Sequence, residues 1–224
     1  MNFSRYIFTG IFMASFCCPS WAQKVVIGNY VFPKDKATYY GELEGGKPNG
    51  KGKTTFKTGD TYEGEYVKGK RQGYGVYTFT DGEKYEGSWH QDHQHGKGVY
   101  YFANNNKYEG LWYIDYQQGL GTMHYFNGDK YVGDWLADKR NGKGRYTWAN
   151  GIYYDGDWKD DKKSGKGTYD WRDGSMYVGD MDNDMRNGQG KYTYANGDVY
   201  TGGWKDDMMH GKGIYKFKNG DVYE

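Results

Sequence analysis

A tyrosine stands at every twenty-third position from Tyr39 to Tyr223, and the interval never slips. An interval held that long means one structural unit copied along the chain, and so short a unit cannot bury its own apolar face. Each copy has to be covered by the next, which restricts the chain to an extended array.

Within a unit that starts at tyrosine n, glycine occupies n+2 in every complete copy, from Gly41 to Gly202, and n+11 and n+13 as well, from Gly50 and Gly52 to Gly211 and Gly213. Position n+4 is Trp89, Trp112, Trp135, Trp158 or Trp204, with Leu43, Tyr66 and Met181 in the other units, and n+17 is aromatic throughout, from Phe56 to Phe217. Position n+20 is glycine except at Asn105. Asparagine is the side chain that best tolerates positive φ, so a left-handed turn is expected there.

Period-two alternation around n+2, and again from n+11 to n+17, predicts two strands per unit; helical spacing fits nowhere in the repeat. Segments such as Thr80-Asp81-Gly82 and Ala195-Asn196-Gly197 suit three-residue hairpin loops. Such loops set n+15 against the next tyrosine, n+13 against the next n+2 glycine and n+11 against the next n+4 residue. On this reading Gly50, Gly73 and Gly142 leave room for the ring across the strand. The opposite face checks the register, since it brings Lys51 to Glu65, Lys53 to Glu63, Lys143 to Asp157, Arg145 to Asp155 and Lys166 to Asp180. A slip of one residue would turn all of these to the wrong side. The expected fold is all-β: an elongated, twisted, single-layer antiparallel β-meander of stacked 23-residue hairpins. Its sixteen strands would span about 75 Å at the usual ~4.8 Å spacing.

The pattern resembles the MORN (membrane occupation and recognition nexus) family, whose repeat runs Tyr-x-Gly-x-Trp, then Gly or Asp, then Gly-x-Gly, then an aromatic residue and a turn glycine. The unit at Tyr200 reads YTGGWKDDMMHGKGIYKF. The resemblance covers 39–224, with eight repeats over 39–222 and the start of a truncated ninth at 223–224. It implies a non-catalytic platform that joins proteins to one another or to membranes. In some families such repeats precede a lipid kinase or methyltransferase domain, so an accessory region of a larger enzyme is an alternative; no such catalytic sequence is present here.

Residues 1–22 do not follow the repeat. Arg5 is their only charge, an apolar stretch runs from Tyr6 to Cys18, and Ser20-Trp21-Ala22 carries small residues at the two positions that specify cleavage. This predicts a secretory signal peptide, with an uncleaved membrane anchor as the alternative. Phe16 before Cys17 argues against a lipoprotein site. Cleavage after Ala22 would remove both cysteines and Arg5, leaving 29 basic against 29 acidic side chains. A secreted or periplasmic product with that balance has no net attraction to nucleic acid. Residues 23–38 are expected to cap the array, with Val25 to Phe32 pairing with the first strand and Val31 facing partly inward.

Few residues suggest chemistry. His90, Asp92, His93 and His95 occupy one n+5 to n+10 loop and are weak metal candidates, the plainer reading being a polar loop. Asp180, Asp182 and Asp184 mimic the start of a calcium loop, but Met185 and Lys191 replace its glycine and distal glutamate. The Gly-x-Gly pairs precede no helix and so do not cradle phosphate. No catalytic residue and no cofactor is expected. The remaining candidate is a groove along the aromatic face, lined by Tyr62, Tyr85, Trp89, Phe102, Tyr108, Trp112, Tyr131, Trp135, Trp148, Tyr154, Trp158 and Trp171, where an extended peptide could lie. Phospholipid contact is the alternative, through loops carrying Lys68, Lys70, Arg71, Lys139, Arg140, Lys162 and Lys163. The same loops hold Asp138, Asp160 and Asp161, which weakens them as a polybasic site.

Overall fold

The computed structural model describes residues 25–224, so the signal-peptide segment lies outside the described residues. The described chain is one open sheet of 18 strands with no helix. Each strand pairs antiparallel with its neighbours in sequence. Strand β1 (Val26–Val31) precedes the array, and every unit then adds a seven-residue and a nine-residue strand, as in β2 (Thr38–Glu44) and β3 (Lys47–Thr55). A two-residue strand at Val222–Tyr223 follows the last full hairpin, so the sheet has one more strand at each end than the repeats alone supply.

The register between units is the one the glycines and charges predict. Tyr146 faces Tyr154, Gly144 faces Gly156 and Gly142 faces Trp158; the same pattern recurs from Gly50 opposite Tyr66 to Gly188 opposite Trp204. On the outward face Lys143 reaches Asp157 at 2.6 Å, Arg145 reaches Asp155 at 2.5 Å, and Lys166 reaches Asp180 at 2.5 Å. The three-residue loop is also present: Phe56 N–H donates to the Asp60 carbonyl at 2.9 Å, and Gly59 at n+20 has φ 93°.

The n+5 to n+10 segment is not a loop. It is a two-residue turn at n+6 and n+7 with both φ positive, as in Asp160 (48°) and Asp161 (69°), the primed geometry whose twist suits a hairpin. The longer strand absorbs the other residues in a bulge, where pairing passes from Gly133–Gly144 to Trp135–Arg140. The bulge also revises the role of the n+11 glycines. Gly142 has φ 96°, and a Cβ there would meet the Asp134 side chain, not the indole across the strand. These glycines are needed for backbone conformation, while Asp134 Oδ2 accepts the Lys143 N–H left free by the bulge at 2.9 Å.

The glycines that make room for rings are those at n+2 and n+13. Tyr131 folds back over Gly133 and Gly144, so a Cβ on either would collide with its ring or hydroxyl. The hydroxyl donates to the Asp134 carbonyl at 3.1 Å. Trp135 and Trp158 then meet Tyr131 edge-on from either side, each with centroids 5.3 Å apart. Trp158 donates its indole N–H to the Gly144 carbonyl at 2.9 Å. Repeated along the sheet, this tyrosine–tryptophan ladder is the core, and Tyr62, Tyr85, Tyr108, Tyr131, Tyr154 and Tyr177 are all 0% exposed. Each buried ring contributes on the order of 3–4 kcal/mol by area, and each edge-to-face pair about 0.5–1.5 kcal/mol more.

The N-terminal cap is present with its faces exchanged. Tyr30 pairs with Tyr39 and Gly28 with Gly41, whereas Val31 points outward and is 54% exposed. Tyr30 and Phe32 pack on the core and so take the places that the n+15 and n+17 rings take in a repeat.

Candidate functional site: an aromatic rail

Nine of the twelve rings read as groove residues belong to the core: Tyr62, Tyr85, Trp89, Tyr108, Trp112, Tyr131, Trp135, Tyr154 and Trp158 are all buried. The folding of tyrosine onto its glycines and the edge-on indoles leave them little exposed surface. Phe102, Trp148 and Trp171 are half-buried and sit on the same side of the sheet. They belong to a second row that alternates n+15 with n+17.

That row forms a zigzag rail across the strands. Centroids step from Tyr125 to Tyr146 (5.6 Å), Trp148 (4.8 Å), Tyr169 (5.2 Å), Trp171 (4.3 Å), Tyr192 (5.3 Å) and Tyr194 (4.6 Å), ending at Tyr215 and Phe217. A shorter run joins Phe56, Tyr77, Phe79, Tyr100 and Phe102. The runs are separated where Met123 replaces the n+15 tyrosine.

Hydrogen-bonding groups border the rail on both sides. Beside the hairpin loops, Asp60, Glu83, Asp129 and Asp198 accept from the hydroxyls of Tyr77, Tyr100, Tyr146 and Tyr215. Desolvation raises the Asp129 pKa, but the Tyr146 hydroxyl and the Ala149 N–H outweigh it and hold the group below the usual carboxylate range. Beside the two-residue turns, Arg71, Arg140 and Arg186 each lie 4.3 Å above the centroid of the next unit's tryptophan. The turn aspartate at n+7 holds this arginine. Asp161 Oδ1 accepts from both Arg140 Nε and the Arg140 N–H at 3.0 Å, and Asp161 N–H donates back to the Arg140 carbonyl. Replacing Asp161 by alanine should cost about 1–3 kcal/mol in a denaturant titration, because the Arg140 N–H loses its acceptor along with the charge.

Gln94 and Gln117 stand where these arginines would be, so no guanidinium overlies Trp112 or Trp135. Together with Met123 they open a groove of about 890 Å³ between Tyr77 and Arg140. The turn aspartates were legible as a column at 92, 115, 138, 161, 184 and 207, a periodic signal that reading each turn as a separate mixed-charge loop had hidden.

The other candidates do not assemble. His93 bonds Asp115 at 2.6 Å while His90 lies tilted against His95, and no group of three such side chains among the described residues could hold a metal ion. Asp180 serves the bulge and Lys166, whereas Asp184 caps the Lys163 N–H at 2.9 Å. Of the basic loop residues, Arg71, Arg140 and Lys163 lie over aromatic rings, Lys139 pairs with Asp160 at 3.5 Å, and Lys162 bonds Asn183 at 3.2 Å. No helix among the described residues is long and apolar enough to cross a membrane.

This geometry meets its family match in detail: the MORN repeat matches at 39–61, 62–84, 85–107, 108–130, 131–153, 154–176, 177–199 and 200–222. The chain belongs to the MORN repeat family. No curated protein matches the chain. Among solved structures, the MORN array is similar to the TCP domain of Drosophila melanogaster SAS-4 (dCPAP), in complex with a proline-rich motif of Ana2 (dSTIL). That match has 15% identity over 78% of this chain and 82% of that one, with a TM-score of 0.40. The wild-type TCP10 domain of Danio rerio CPAP matches at 14% identity over 88% and 98%, with a TM-score of 0.26. Similarity at this level carries no weight for the function of this chain.

Proposed function

We propose that this MORN array is a non-catalytic scaffold that holds an extended segment of a partner protein along the aromatic rail, in the exported or envelope compartment. The observation that carries this reading is the rail itself, a row of half-buried rings left over once the tyrosine–tryptophan ladder has closed the core. Rings in this state lose little entropy on binding and bring large apolar area, and carboxylates and tyrosine hydroxyls border them. The compartment follows from the composition of residues 1–22, and N-terminal sequencing of the mature protein should begin at Gln23.

The binding face is tested by paired substitutions in the full chain. Trp148→Ala with Trp171→Ala should cut capture of the partner from the native host at least tenfold while lowering the melting temperature by only a few degrees. Trp135→Ala with Trp158→Ala removes core rings, at about 3–5 kcal/mol each, and should lose stability and binding together. Lys143→Ala, on the outward face, should change stability by less than about 0.5 kcal/mol and leave capture intact. Unchanged capture by the rail variant would refute the assignment.

A further inference from the structure

Arg71, Arg140 and Arg186 show what one place in the repeat is shaped to hold. Each guanidinium lies over the tryptophan of the next unit and bonds that unit's turn aspartate twice, through Nε to Oδ1 and through Nη2 to the backbone carbonyl. For Arg140 and Asp161 the two distances are 3.0 Å and 2.7 Å. A carboxylate oxygen and a carbonyl set side by side match the fork of a guanidinium, which an ammonium does not reproduce.

The units of Trp112 and Trp135 keep the aspartate and lack the arginine. Asp115 Oδ1 and Asp138 Oδ1 still accept the backbone N–H of Gln94 and Gln117, both at 2.8 Å. The two indoles remain buried, so what the shorter glutamine vacates is the guanidinium's place beside the aspartate. Gln94 and Gln117 line the groove at only 8% and 5% exposed, yet neither carboxamide has a hydrogen-bond partner among the described residues. Charge points the same way. Of the charged residues that line the groove, Arg71 and Arg140 are held by Asp92 and Asp161, which leaves Asp115 and Asp138 without an arginine or lysine. His93 shares the second oxygen of Asp115, while Asp138 Oδ2 accepts from no group among the described residues.

We propose that this groove takes arginine side chains from the bound segment, each guanidinium bonding Asp115 or Asp138 from outside as Arg140 bonds Asp161 from within. This rests on the proposed function and names the chemistry of the segment where it crosses the break in the rail. The two places are one hairpin apart, about 9.6 Å, a gap that two long side chains on the same side of an extended strand can span.

The test is calorimetry of the full chain with a peptide of about ten residues, mostly serine and glycine, that carries Arg-Ser-Arg, against the same peptide with citrulline in place of both arginines. Saturable binding of the first is expected, with the neutral peptide weaker by about tenfold or more. Gln94→Arg with Gln117→Arg fills both places from within and should abolish binding while leaving the melting temperature unchanged or higher. Asp138→Asn, whose amide oxygen can still accept the Gln117 N–H, should weaken binding about fivefold or more in a folded protein. Equal binding of the two peptides, undiminished binding by either variant, or no binding of either peptide would overturn the inference. Capture of the native partner separates it from the proposed function. Capture lost with Trp148→Ala and Trp171→Ala but kept with Gln94→Arg and Gln117→Arg would overturn the inference alone, and capture kept by both variants would overturn both.

Discussion

Replacing Gly133 by alanine should cost about 3 kcal/mol or more and split the thermal unfolding of the array into two transitions. A Cβ at this position would lie 2.5 Å from the Lys143 carbonyl oxygen and closer still to the Gly144 Cα, with the Tyr131 hydroxyl 2.6 Å away. Two of these obstacles are backbone, so neither can rotate aside, and overpacking of this kind sits at or beyond the upper end of the usual 1–3 kcal/mol. Stability in a repeat array is a sum of local terms, so a defect in a middle unit uncouples the halves. Gly151→Ala is the control. That glycine has φ 87° and nothing near its Cβ, so only the cost of the backbone conformation, about 1 kcal/mol, is expected. Calorimetric scans of the two variants distinguish a ring-packing glycine from a turn glycine.

Alkali should unfold the sheet cooperatively above about pH 10. Desolvation pushes the core tyrosines Tyr62, Tyr85, Tyr108, Tyr131 and Tyr154 well above the ordinary phenol value, and Tyr39 and Tyr177 up to about 12. In the unfolded chain these groups titrate near 10. A folded pKa above the unfolded one means that the stabilisation is complete below pH ~10 and is lost as pH climbs through the folded values. Each such tyrosine removes about 1.4 kcal/mol per pH unit in that window. Phenolate absorbance and loss of the β-sheet circular dichroism signal should therefore rise together. Tyrosines that titrate near pH 10 with the sheet intact would show that the ladder is open to water.

The register was legible because glycine and charge mark both faces in every unit, and Lys143–Asp157 and Gly144–Gly156 cannot both be satisfied by any other alignment. The groove was harder to read. Period two assigns Tyr131 and Trp148 to the same face, yet it does not say that one ring bends onto its own glycines while the other stays half in water. The turns were hidden for a chemical reason. Primed turns normally announce themselves with Asn-Gly or Gly-Gly, and only Gly45-Gly46 does so here; Ala137-Asp138 and Ile114-Asp115 take up positive φ because the aspartate is tied to the preceding unit. The cap was hidden by spacing. Gly28-x-Tyr30-x-Phe32 is the second strand of a repeat, displaced by one residue because the loop that follows, closed by Phe32 N–H to the Ala37 carbonyl, is one residue longer than the others.

The outward face also carries an exposed apolar patch of Tyr74, Tyr101, Leu111 and Leu120, which makes it the natural rival to the rail. A photocrosslinking side chain placed at position 148, and separately at 101, in the full chain within the native host compares the two faces directly. An adduct from 148 that maps to a single short segment of a partner protein is expected, and none from 101. Adducts confined to 101, or none from either position, would contradict the rail as the binding face.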